Sequence, residues 1–178
     1  MIINNTFELG PEGWSSYDYH QSVIQREGRA IMVLTTHQKT GGINDKGYVW
    51  TNDHVWTPDI PEKPVDLRDK KVTVSLRGDG LELEGAECYF WVVCGMTRWH
   101  LNSEPIEIEE GAWPTSPAKI HLTNAETLWH RSWSKDPSKP TSLDDCLKNC
   151  GSYGFSFVGF TKAVRGKLSL GGFKIEST

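Results

Sequence analysis

Residues 127–133, Thr-Leu-Trp-His-Arg-Ser-Trp, put two tryptophans, a histidine and an arginine within seven positions. A second Trp-His pair stands at Trp99-His100, and the stretch 41–56 holds Tyr48, Trp50, Asn52, Asp53, His54 and Trp56 beside several glycines. Flat aromatic faces next to fork-like or ring-nitrogen polar groups suit one kind of chemistry. They can stack on the apolar C–H face of a pyranose while the polar groups hold its hydroxyls. Turned inward, the same tryptophans would simply be core. Successive side chains of a strand point to opposite faces, so the phase of each strand decides.

In 127–133 the alternation predicts Trp129, Arg131 and Trp133 on one face, with Leu128, His130 and Ser132 on the other. An unpaired guanidinium between two tryptophans is costly in a dry core, which makes the Trp-Arg-Trp face at least partly wet. The opposing reading has Trp129 packed at a sheet edge and Arg131 extended to solvent. The segment Cys-Tyr-Phe-Trp-Val-Val-Cys, 88–94, is apolar on both faces and reads as a central strand. If Cys88, Phe90, Val92 and Cys94 face the core, then Tyr89, Trp91 and Val93 form an outward row. A ligand would cover that row, or else the proline-rich loop or a helix would. Trp99 and His100 would extend either surface. The candidate ligand-binding residues are therefore Trp50, Asn52, His54, Tyr89, Trp91, Trp99, His100, Trp129, Arg131 and Trp133.

The elements that must position these residues follow from composition. The 178 residues include eight tryptophans and seventeen glycines, a balance typical of strands and their turns. Alternating or β-branched segments recur, among them 24–36, 71–77, 118–124 and 166–176. In Lys-Val-Thr-Val-Ser-Leu-Arg, Val72, Val74 and Leu76 face one way. The Glu-rich segment 105–110 reads as a strand wet on one side, and Arg77-Gly78-Asp79-Gly80 as a turn. One helix interrupts near 142–150: Ser142 caps it, Asp145 stands in the capping-box position, and Gly151 is a suitable left-handed stop. The pattern predicts an all-β fold, a two-sheet antiparallel β-sandwich or jelly roll with that single short helix, as one domain over 1–178.

Other function classes lose ground. Net charge is −4 with no basic block, which argues against nucleic-acid binding. No apolar run reaches the roughly 18 residues of a membrane-spanning helix. The first ten residues lack a signal-peptide profile, so the expectation is a cytoplasmic chain or a trimmed module of a secreted protein. Cys88 and Cys94 are too far apart along one strand to bridge, about 20 Å at ~3.3 Å per residue. Cys146 and Cys150 join Leu143 and Leu147 in an apolar stripe. The four read as small buried hydrophobes, with a bridge between the two pairs left open.

The two ends of the chain carry a resemblance. Asn4 or Asn5, Phe7, Glu8, Gly10, Gly13 and Trp14 in the opening segment, with Gly-Lys-Leu-Ser-Leu-Gly-Gly-Phe-Lys-Ile-Glu at 166–176, resemble the jelly-roll carbohydrate-binding modules of the galactose-binding-like fold. The resemblance implies a β-sandwich with adjacent termini and a glycan or polysaccharide partner. Many such modules hold a structural calcium with a glutamate near the start and an aspartate near the end. Glu8 fits the first position, whereas Gly171 and Gly172 stand where the aspartate would be.

The leading expectation is non-catalytic carbohydrate binding that requires no cofactor, with Arg131, Asn52 and His100 or His130 orienting the sugar. No G-x-S-x-G, H-E-x-x-H or cysteine-histidine signature is present. The alternative is a polysaccharide lyase or glycoside hydrolase on the same scaffold, using His100, His130, Tyr89 and Arg131. A protein-interaction domain with a tryptophan-rich interface is the third reading.

Overall fold

The computed structural model describes residues 3–8, 12, 14–16, 24–26, 31–36, 40–43, 49–56, 64–159 and 165–178. Its strands are β1 (Ile3–Asn5), β2 (Ser15–Ser16), β3 (Ile24–Arg26), β4 (Ile31–Thr36), β5 (Thr40–Ile43), β6 (Val49–Trp56), β7 (Lys70–Glu82), β8 (Glu87–Cys94), β9 (Thr97–His100), β10 (Glu109–Glu110), β11 (Ala118–Leu122), β12 (His130–Ser134), β13 (Ser152–Val158) and β14 (Arg165–Ser177). Helix α1 (Leu143–Lys148) precedes β13.

Two seven-stranded sheets form the layers. Sheet 1 runs β10-β7-β14-β4-β3, with β1 added to β14 and β11 to β7; sheet 2 runs β12-β9-β8-β13-β6-β2, with β5 added to β6. All pairings are antiparallel except the two-residue β10–β7 contact. The expected two-sheet β-sandwich with one short helix is what forms. Among the described residues no helix is long and apolar enough to cross a membrane.

The core lies between the sheets, where alternation acts as the sequence predicts. Val72, Val74 and Leu76 of β7 are buried while Thr73, Ser75 and Arg77 are not. Phe90 and Val92 of β8 meet Tyr153, Phe155 and Phe157 of β13 in the same cluster. The opening segment that carried the resemblance is structural. Phe7 takes a left-handed φ of 60° and is fully buried, and Trp14 lies at the centre of the aromatic core. Its ring stacks on Phe155 at 5.9 Å and meets Phe173 of the facing sheet edge-on at 4.8 Å. The Trp14 indole N–H donates to Asn5 Oδ1 at 3.1 Å, so the buried nitrogen is satisfied.

Helix α1 is capped as expected: Ser142 Oγ accepts from the Asp145 N–H. Gly151 is not its stop, however. The C-cap is Asn149 at φ −124°, and the Gly151 N–H instead donates to the Val93 carbonyl at 2.9 Å, which carries the chain straight into β13. Nor do residues 77–80 form a turn: β7 continues through them to Glu82, with the left-handed Gly80 taking φ 59°. The strand expected at 105–110 is reduced to β10 and an isolated bridge between Ile106 and Cys88.

All four cysteines are free thiols. Burial pushes Cys88 and Cys150 up to about 12 and raises Cys94 and Cys146 as well. The reactive thiolate is therefore suppressed near neutral pH. Native protein at pH 8 is expected to react slowly with Ellman's reagent, with the half-buried Cys94 first, and all four thiols are expected to titrate at once in denaturant. Trp14→Ala is expected to cost about 3–5 kcal/mol in urea unfolding, the range for removing a buried tryptophan.

Candidate functional site

The side of sheet 2 away from the core is built from the alternate residues of its strands. The register aligns His130 of β12, His100 of β9, Trp91 of β8, Gly154 of β13 and position 56 of β6 in one row. A neighbouring row holds Tyr89 and Ser156, and register continues it to His54. On the other side of the first row stand Trp133, Arg98, Val93 and Ser152. Tyr89 and Trp91 are buried, yet neither joins the hydrophobic core cluster. The buried residues of α1 do join it, so the expectation that the helix might cover the Tyr-Trp row is not met.

This face is polar and ordered by its own hydrogen bonds. His100 Nε2 and Ser156 Oγ lie 2.7 Å apart, both almost fully buried. Ser132 Oγ accepts from Arg98 Nε at 3.2 Å, and the Arg98 guanidinium carbon stands 5.9 Å from the centre of the Trp91 ring. That separation is within reach of a cation–π attraction. The Tyr89 hydroxyl donates to the Glu87 carboxylate at the end of the row. Arg98 is the residue that sequence reasoning missed. In Thr97-Arg98-Trp99-His100, alternation sets it on the same face as His100.

The predicted Trp129-Arg131-Trp133 face does not exist. Trp129 precedes β12 as the cap of a short 3-10 turn, and a bulge between Arg131 and Trp133 reverses the phase of the strand. Trp129 is buried in the core and donates its indole N–H to the Thr123 carbonyl at 2.8 Å. Arg131, half-buried, lies opposite Trp99. Trp133 pairs with Arg98 and so shares the polar face, where it is 41% exposed. Trp99 is also core, bonded to the Thr141 carbonyl at 3.2 Å. Trp99 and Trp129 are thus withdrawn as ligand contacts, because no face of either ring is open to solvent.

Trp50, Asn52 and His54 lie on β6, where register sets Trp50 against Val158 and His54 against Ser156. Tyr48 lies outside the described residues. Gly171, where the resemblance would place the calcium aspartate, has no side-chain oxygen, and the Trp113 ring occupies the space where a side chain would start. Among the described residues no three Asp, Glu, His or Cys side chains gather as a metal-binding group.

No family model and no curated protein matches the sequence. Solved structures do. The chain is similar over its whole length to the family 11 carbohydrate-binding module of the cellulosomal cellulase Lic26A-Cel5E of Clostridium thermocellum. Identity is 13%, the TM-score is 0.55, and 96% of that chain is covered. The same family's module in complex with a β-1,3-1,4-mixed-linked tetrasaccharide aligns at 16% identity, TM-score 0.47, over 98% of this chain and 94% of that one. PfGH50B aligns at 12% identity, TM-score 0.49, over 93% of this chain and 22% of its own. At 13% identity the first of these likenesses shows the jelly-roll fold.

The burial pattern separates the tryptophans by stability. Trp99→Ala and Trp129→Ala are each expected to lose about 3–5 kcal/mol, whereas Trp133→Ala should stay within ~0.5 kcal/mol of the parent. Chemical denaturation of the three variants checks this.

Proposed function

We propose that this chain is a non-catalytic carbohydrate-binding module whose ligand engages the polar-aromatic face of sheet 2. The observation that carries the reading is Trp133. It is a large exposed ring on an edge strand, beside Arg98, Ser132 and the His130–His100–Trp91 row. An exposed indole supplies the stacking surface, and hydroxyl and guanidinium groups beside it supply orientation. The structural similarity to a cellulase's binding module supports the assignment, and with it a role as a pendant module that holds a larger protein on a polysaccharide.

The hydrolase or lyase reading draws on His100, His130 and Tyr89 converging on one face. In this structure His100 is bonded to Ser156 and Tyr89 to Glu87. Arg131 does not join them.

The protein-interaction reading has its own observation. Met96, 52% exposed, and Leu128, 36% exposed, flank β12 together with Trp133. An edge strand with apolar side chains can recruit a partner chain.

One screen tests all three readings: retardation on soluble polysaccharides and a glycan array, with product analysis on each polymer. Binding without new reducing ends or unsaturated sugars is expected. Trp133→Ala should weaken it by about 2 kcal/mol, a factor of roughly 30, with the melting temperature unchanged. Products would establish an enzyme. Failure to bind any glycan, with concentration-dependent self-association lost in Trp133→Ala, would establish the interaction reading.

A further inference from the structure

The other side of the sandwich carries a second tryptophan with the marks of a platform. Trp113 lies in the segment 111–117 between β10 and β11 and reaches across β7 onto β14. A Cβ placed on Gly171 would stand 2.7, 2.9 and 3.2 Å from Cζ3, Cη2 and Cε3 of the Trp113 ring. These are three successive carbons, and near-equal distances to all three mean that the approach is to the ring's face. An edge-on approach would leave the flanking carbons much farther away than the middle one. The indole therefore lies flat on the outer face of sheet 1, over a glycine that leaves room for it. The residue is only half-buried, so part of it remains open to solvent.

The indole nitrogens sort the tryptophans in the same way. Trp14, Trp99 and Trp129, all core, donate their N–H groups to Asn5, Thr141 and Thr123. The N–H of Trp113, like that of Trp133, meets no acceptor among the described residues. Beneath and beside the ring the outer face of β7 is polar. Ser75 is the register partner of Gly171, and Arg77 the partner of Ser169. Arg77 Nη2 and Asp79 Oδ1 are 2.8 Å apart, in side chains that remain 23% and 36% exposed. A half-buried indole whose N–H meets no described acceptor, on the same sheet face as the part-buried Arg77–Asp79 pair, suits a pyranose.

We propose that Trp113, with Arg77 and Asp79, forms a second glycan-binding platform on sheet 1, opposite the face described above. The pyranose stacks on the solvent-open part of the ring, and its hydroxyls bond the indole N–H and the Arg77–Asp79 pair. This rests on the carbohydrate reading of the chain but not on the sheet 2 site. Two opposed platforms would let one molecule hold two glycan strands.

The test is calorimetric titration of the full chain with neutral soluble hexasaccharides of β-linked glucose and of agarose repeats, and with uronic-acid hexamers. The variants are Trp133→Ala, Trp113→Ala, Trp113→Phe and Gly171→Ala, each checked by thermal melt. Two sites per chain are expected for the parent. Trp113→Ala should remove one of them, weakening it at least ten-fold, and Trp113→Phe should largely retain it. Gly171→Ala, which lifts the ring without deleting it, should reproduce the loss. Unchanged stoichiometry in both Trp113→Ala and Gly171→Ala would overturn the second platform. If Trp133→Ala still abolished binding in that case, the sheet 2 reading would survive alone. Loss through Trp113 with no effect of Trp133→Ala would leave this platform standing and remove the other. A parent that binds no hexasaccharide would end both.

Discussion

The sandwich depends on one ring being held from both sides. Trp14 stacks on Phe155 of sheet 2 and meets Phe173 of sheet 1, while Tyr153 stacks on Phe173 at 5.2 Å. Four large aromatic side chains thus close the gap between the layers, and close packing leaves little freedom in how the sheets sit. The Trp14 nitrogen bonded to Asn5, whose own amide donates to Glu12, fixes the entry of the chain. Phases throughout both sheets follow from this: residues alternate from the positions that must meet Trp14, and the remaining ones are turned away.

The residues turned away on sheet 2 are not surface in the ordinary sense. β13 is buried on both faces, with Tyr153, Phe155 and Phe157 toward the core and Ser152, Ser156 and Val158 away from it. Buried polar groups need hydrogen-bond partners, and the His100–Ser156 and Arg98–Ser132 bonds supply them for these four side chains. These bonds fix the rotamers of the groups next to Trp91. Among the described residues, the β12 edge is where the face opens, at the bulge that delivers Trp133. The bulge sets which tryptophan of the 127–133 segment meets solvent.

Most of the architecture could be read from the sequence because it rests on period-two patterning. Val72, Val74 and Leu76, the doubly apolar β8, the Ser142 cap and the terminal segments all behaved as their residue types require. What failed did so for local reasons that residue type does not encode. An extra residue in β12 put Arg131 and Trp133 on opposite faces, and a 3-10 turn took Trp129 out of the strand. Glycines misled at Gly78–Gly80, where a long strand with one left-handed residue was read as a turn. Trp99 and His100 were expected together to extend a surface, although adjacent strand residues face opposite ways. Alternation separates Trp99 from Arg98 and His100, and the core takes Trp99.

The pairing of Ile3 with Ile175 brings the first and last described strands side by side. β14 joins β1, β4 and β7 in the same sheet, so much of sheet 1 is organised around a strand at the end of the sequence. Closing such distant segments costs chain entropy before any contact repays it, and topologies of this kind fold in milliseconds to seconds rather than microseconds. On the ribosome, Trp14 would emerge long before Phe173 exists to receive it. The amino-terminal half must then wait, with its aromatic side chains uncovered, for the last strand to arrive.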